Sequence, residues 1–244
     1  MYSIFDIFKI SIGPSSSHTT GPMIAAKHFR DYLIKDSLIL NINKIDIELF
    51  GSLAFTGKAH GTDKGIILGL SGLDIEKITT MDITKVISNV KKNKSITMHK
   101  KKSIPFEIKK NIFFNTKSIP KKFSNTLEIV GYNNKKIILK KTYYSIGGGF
   151  IRIKNEKKNF ITLNKSPYEF INCDNLMSLC KKNNFRLHQI TIENEIINSS
   201  KTNVRKKILS IWMMMNESIE NGLKNNGILD GGLKVERKAS SIYK

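Results

Sequence analysis

The chain has 244 residues, enough for one large domain or two small ones at about 100 to 200 residues each. Its apolar stretches, such as Ile211-Trp212-Met213-Met214-Met215, fall far short of the roughly 20 residues that a membrane span requires. Forty-one Lys and Arg against 20 Asp and Glu give a net charge of +21, a value that in isolation points to nucleic acid or an anionic surface. The excess, however, is mostly Lys set among Asn and Ile, as in Lys91-Lys92-Asn93-Lys94 and Lys157-Lys158-Asn159, the pattern that an AT-rich genome leaves at solvated positions. No aromatic residues interleave the basic runs as a stacking platform for single strands would need, and no zinc-finger or RNA-recognition signature is present. Membrane insertion is therefore set aside, and nucleic-acid binding is kept only as a minor reading. The opening Met1-Tyr2-Ser3-Ile4-Phe5-Asp6 shows no secretory signal, so the expected compartment is the cytoplasm.

In chain order, a small-residue loop ending at Gly21-Pro22 leads into a helix over Met23 to Ile34, with Pro22 near its first turn and Ala25, Ala26, Phe29, Tyr32 and Leu33 on its packed face. Ile45-Asp46-Ile47-Glu48-Leu49 alternates apolar and acidic residues, the pattern of a half-buried strand, and Gly51-Ser52-Leu53 follows as a loop. A second helix is expected over Asp63 to Leu70. Lys91 to Lys122 reads as a surface excursion with one short strand around Ile104 to Ile108. Thr126 to Tyr132 and Lys136 to Tyr144 form a hairpin across Asn133-Asn134, and Phe150 to Lys154 with Phe160 to Asn164 forms a second. The pattern then becomes helical, at Asp174 to Lys182, Gln189 to Asn198 and Val204 to Leu223. The last of these carries Ile208, Ile211, Trp212, Met215 and Ile219 on one stripe. The fold class is thus α+β over residues 1–165, followed by a helical extension over 166–244.

Three loops hold the residue types that carry chemistry. Gly13 to Gly21 sets Ser15, Ser16, Ser17 and His18 before a helix start, where hydroxyls and backbone amides suit an anion or simply cap the helix. Gly57 to Asp63 contains His60 between a strand and a helix; a histidine there can act as acid or base near neutrality, or face water. Gly147-Gly148-Gly149 lets backbone approach a ligand closely, or serves as a bend between hairpins. His28, His99 and His188 read as structural. Cys173 and Cys180, the only cysteines, match neither a zinc ribbon nor a Cys-x-x-Cys motif; seven apart on a helix, they are expected to pack on nearly one face.

Taken together, Phe5-Asp6-Ile7-Phe8-Lys9, Ile12 to Met23, Gly51 to His60, Lys141 to Phe150, Glu193-Asn194-Glu195 and Gly232 to Ser240 resemble the single-chain iron–sulfur L-serine dehydratases, in their amino-terminal part. The resemblance implies a mixed α/β domain, similar to the allosteric substrate-binding domain of some phosphoglycerate dehydrogenases. It also implies elimination of water from L-serine to give pyruvate and ammonia without pyridoxal phosphate, in amino-acid catabolism. In that reading Ser15, Ser16, Ser17 and His18 bind the substrate carboxylate and polar groups, and His60 is the acid/base. Gly147, Gly148 and Gly149 shape the wall that faces a [4Fe–4S] cluster. The family's cluster ligands lie in a second, helical catalytic domain, and none maps onto this chain: Cys173 and Cys180 stand outside those positions. The resemblance further implies a homodimer for the complete enzyme. Three explanations stay open, a fragment, a decayed gene product, or one subunit of a split enzyme whose partner chain carries the cluster domain, and the helical tail favours truncation. The isolated chain is expected to be inactive. A small-anion-binding module is the alternative function, and a basic nucleic-acid binder a third.

Overall fold

The computed structural model describes residues 3–13, 15–100, 102–156, 166–197, 201–229 and 234–243. In chain order the elements begin with helix α1 (Ile4–Ile7) and a π-helical turn (Ser16–Thr20) that runs directly into α2 (Gly21–Lys35). A 3₁₀ turn (Ile39–Asn41), strand β1 (Lys44–Gly51) and helices α3 (Ser52–Thr56), α4 (Thr62–Leu70) and α5 (Thr80–Asn93) follow. Next come β2 (Ser95–His99), β3 (Lys102–Pro105), α6 (Ile108–Asn111), β4 (Ile112–Asn115), β5 (Asn125–Asn133), β6 (Lys136–Gly147) and β7 (Phe150–Ile153). Helices α7 (Cys173–Asn183), α8 (Leu187–Ile196), α9 (Lys201–Lys224) and α10 (Ala239–Tyr243) close the chain. The fold is therefore mixed α+β, as expected.

Two compact units result. One contains residues 11–160 and 228–235; the other contains 1–10, 161–227 and 236–244. The first is built on a five-stranded sheet in the order β4-β1-β5-β6-β7, parallel only between β1 and β4. Alternation in β1 sends Ile45, Ile47 and Leu49 into the core, where they lie level with Gly131, Ile129 and Leu127 of β5. The opposite face is polar, with Lys44 paired to Asp46 at 2.6 Å and Lys140 to Glu128 at 2.8 Å. Asn134, at φ +52°, makes the tight turn between β5 and β6.

Helix α2 covers the apolar face of the sheet with Met23, Ala25, Ala26, Phe29 and Leu33, all buried. Helix α4 packs against α2 on one side and against α5 and β2 on the other, so Gly65 to Leu70 are all buried. The approach of the two helices is close: a Cβ on Gly65 would lie 2.7 Å from the Thr19 carbonyl oxygen, and one on Gly69 would lie 2.2 Å from that of Met23.

The Lys-rich stretch expected as a surface excursion is instead structured. Helix α5 ends within it, Ile96, Met98, Ile104 and Phe106 of the β2–β3 region are buried, and β4 adds the parallel edge. Lysines crowd the segments that connect these short elements, as at Lys94, Lys100, Lys109 and Lys110, and mask the apolar alternation between them. Strand β7 pairs with β6, whereas the Phe160 to Asn164 half of the second expected hairpin lies outside the described residues. In the helical unit, Cys180 is buried but Cys173 is exposed, which corrects the expectation that both pack. Cys173 is the first residue of α7, before the buried side of that helix is established. Among the described residues no helix is long and apolar enough to cross a membrane.

Candidate functional site

The site forms where β1 hands the chain to α3 and where the Ser-rich loop enters α2. Gly51 ends β1 at φ +56°, and a Cβ there would lie 2.3 Å from the Ser124 carbonyl oxygen. Glycine is thus required for the sharp turn from strand to helix. The Ser52 amide then donates to that Ser124 oxygen at 2.8 Å, which fixes the first residue of α3.

The Ser-rich loop is helical from Ser16 onward, so the helix begins five residues before Gly21 and Pro22. Ser15 caps it, its hydroxyl accepting from the His18 amide at 3.1 Å. Ser16 is exposed, while Ser15, Ser17 and His18 are half-buried. The Ser145 hydroxyl donates to the Ser17 carbonyl at 2.7 Å and ties the turn to β6. Gly147, Gly148 and Gly149, all at positive φ, make the turn from β6 to β7 just beyond Ser145.

His18 and His60 come together with ring centroids 5.1 Å apart. Their loops are stitched reciprocally: Thr19 Oγ1 donates to the His60 carbonyl at 2.8 Å, and Thr62 Oγ1 donates to the His18 carbonyl at 2.5 Å. His18 is held between two hydroxyls, with Nδ1 2.8 Å from Ser17 Oγ and Nε2 2.9 Å from Ser52 Oγ. Each hydroxyl can donate or accept, so this cradle suits either neutral tautomer. Burial, and then the charge of His60, lower the His18 pKa below its ordinary value, against an upward pull from the Ser52 backbone. His60 differs. Its Nδ1 lies 2.9 Å from the Thr56 carbonyl oxygen, and a carbonyl only accepts, so in the neutral ring the proton sits on Nδ1 and Nε2 carries the lone pair.

The structure therefore brings Ser15, Ser17, His18 and His60 into one constellation and sets the glycine turn just beyond Ser145 on the strand that anchors it. Ser52, Thr19, Thr62 and Ser145 complete the constellation, although the sequence reading gave them no role. The Gly-Ser step after a strand was the available signal for Ser52, whereas the other three act through contacts between distant segments. Among the described residues no group of three or more His, Cys, Asp or Glu side chains is placed to hold a metal ion. A [4Fe–4S] cluster calls for several thiolates, and the exposed Cys173 and buried Cys180 do not supply such a set.

A family model described as the serine dehydratase beta chain matches residues 3–158. The L-serine dehydratase of Haemophilus influenzae is 36% identical over 249 residues, covering 100% of this chain and 54% of the relative. L-serine dehydratase 1 of Escherichia coli is 33% identical, covering 99% of this chain and 54% of the relative. The L-serine dehydratase of Helicobacter pylori strain 26695 is likewise 33% identical, covering 99% and 53%. The chain spans about half the length of the curated relatives it matches. With the match spanning the Ser-rich loop, the strand-to-helix turn at Gly51 and the glycine turn, the chain belongs to the serine dehydratase beta chain family.

Proposed function

We propose that this chain supplies the substrate-binding half of an L-serine dehydratase, which converts L-serine to pyruvate and ammonia. The observation that carries the reading is the pairing of His60, with a free lone pair on Nε2, beside a hydroxyl-rich helix start. The hydroxyls of Ser15, Ser16 and Ser17, with His18, receive the substrate carboxylate at the positive end of the helix. His60 Nε2 takes the α-proton, and the imidazolium so formed returns a proton as the β-hydroxyl leaves as water. The aminoacrylate left behind tautomerises to an imine, and addition of water to it releases pyruvate and ammonia. Gly147, Gly148 and Gly149 shape a wall of the site, in a positive-φ turn that favours glycine.

A [4Fe–4S] cluster belongs to the reading as a group of the complete enzyme, carried by a further domain or a separate partner chain. The cysteines of this chain do not fit it, and the residues above act independently of its ligation. The reading also divides the chain into a substrate-binding part, residues 1–165, and the start of a catalytic-type helical domain, 166–244, in a cytoplasmic enzyme that is a homodimer when complete. A small-anion-binding module, similar to that of some phosphoglycerate dehydrogenases, is the second reading, favoured by the hydroxyl-rich helix start in a chain of net charge +21.

The test is titration of the chain with L-serine by calorimetry. It is followed by a coupled pyruvate assay with and without a polypeptide covering the remainder of the Haemophilus influenzae relative, assembled anaerobically with iron and sulfide. Binding by the chain alone, with pyruvate formed only in the mixture, is the expected result. Binding with no pyruvate from a cluster-loaded mixture favours the anion-binding module.

A further inference from the structure

Among the described residues, one buried side-chain polar atom has no hydrogen-bond partner, Oδ1 of Asn125. A buried acceptor left unpaired costs about 1–3 kcal/mol, so its retention calls for a reason. Its position supplies one. Asn125 opens β5 directly opposite Gly51, the residue that turns β1 into α3, and directly follows Ser124, whose carbonyl accepts the Ser52 amide. It shares the sheet face of Leu127 and Ile129, the face covered by α2. On its other side, Thr126 pairs with Tyr144, so one step further along β6 comes Ser145, which is bonded to Ser17. Asn125 therefore lies between the strand ends that lead to Ser52 and Ser145, the two residues whose hydroxyls bond His18 and the Ser17 carbonyl.

We propose that Asn125 is a substrate-recognition residue whose Oδ1 accepts a hydrogen bond from the α-ammonium of the bound amino acid; this rests on the reading of the site as an L-serine site. The site's Ser15, Ser17 and Ser52 hydroxyls and His18 provide donors suited to a carboxylate, His60 Nε2 is kept for the α-proton, and no carboxylate side chain belongs to the set. An α-ammonium brings three donors. Among the described residues, the amide carbonyl of Asn125 is the one buried side-chain acceptor that is not already engaged. The terminal torsion of asparagine is broad, so the amide turns its oxygen toward a ligand seated over Ser52 without leaving its χ1 well. A neutral amide also accepts the ammonium without adding the negative charge that would repel the substrate carboxylate.

The experiment compares L-serine with 3-hydroxypropanoate, which is L-serine without the amino group, by calorimetric titration of the full chain as wild type, Asn125→Leu and Asn125→Asp. Loss of a hydrogen bond to a charged group predicts that Asn125→Leu weakens L-serine by about ten-fold or more and leaves 3-hydroxypropanoate within about two-fold. Asn125→Asp keeps the acceptor and adds a negative charge, so it retains L-serine and weakens 3-hydroxypropanoate. Should Asn125→Leu fail to fold by circular dichroism, the ratio of the two affinities in Asn125→Asp decides alone. Equal weakening of both ligands, or unchanged L-serine affinity, overturns the assignment while leaving the site reading intact. A wild-type chain that binds neither ligand overturns both.

Discussion

Each ring nitrogen of His18 meets a hydroxyl, whereas His60 commits one nitrogen to a carbonyl and keeps the other open. The two histidines are thus suited to different tasks, His18 to orientation and His60 to proton transfer. In a complete enzyme, His60→Gln is expected to lower kcat by about 10²- to 10⁴-fold with a small change in KM, measured by pyruvate formation; near-normal kcat sinks the acid/base role. His18 gives a prediction for the chain by itself. Its pKa is lowered in the fold, so on acidification the unfolded chain takes up the proton first. The stability due to neutral His18 is complete above its ordinary value of 6.5 and is lost as pH falls through the lower folded value. Thermal melts from pH 8 to pH 5 are therefore expected to fall less steeply for His18→Gln than for wild type. Some slope remains, because burial also lowers the pKa of His28. A slope unchanged by His18→Gln contradicts the assigned cause.

The close approach of α2 and α4 makes the spacing of Gly65 and Gly69 decisive for this pair of helices. Alanine normally favours a helix over glycine by about 1 kcal/mol, yet the Cβ of Gly69→Ala would lie 2.2 Å from the backbone oxygen of Met23. Overpacking outweighs propensity, and a net loss of about 1–3 kcal/mol is expected in urea unfolding. A stabilised variant would show that the helices part freely. At this scale the sequence was legible wherever one face of an element met the core. The alternation over Ile45 to Leu49 and the helical spacing over Met23 to Ile34 both locate their elements to within a few residues. The pattern failed where lysines crowd the connections between short elements, as around β2, β3 and β4, because charge dominates the local composition there. The site was legible in its two histidine loops, each short and set beside a helix. It was not legible in Ser145 or Asn125, whose roles come from strand register across the sheet, a relation between distant segments that local spacing does not encode.

The molecule as a whole carries an exposed apolar stripe on α9. Trp212 is 54% exposed, and Met215 and Ile219, at helical spacing from it, are similarly open. Trp212 is the sole tryptophan of the chain, so its emission reports on this helix alone. If the remaining half of the relatives' length completes the enzyme, as proposed, adding that polypeptide is expected to shift the Trp212 emission to shorter wavelength. The shift should be lost in Trp212→Phe and weakened in Ile219→Asp. An unchanged spectrum in an active mixture places the covering surface elsewhere. The capping of α1 bears on a separate matter. Glu195 of α8 accepts the Ser3 hydroxyl at 2.7 Å, across 192 residues, and the Ile4 amide at 2.6 Å. On the ribosome, the first helix emerges long before its acceptor, while residues 11–160 already contain a complete sheet and its covering helices. Synthesis order thus favours maturation of the sheet unit first, with the amino terminus captured late, so a bulky tag fused before Ser3 impairs the last assembly step rather than the first.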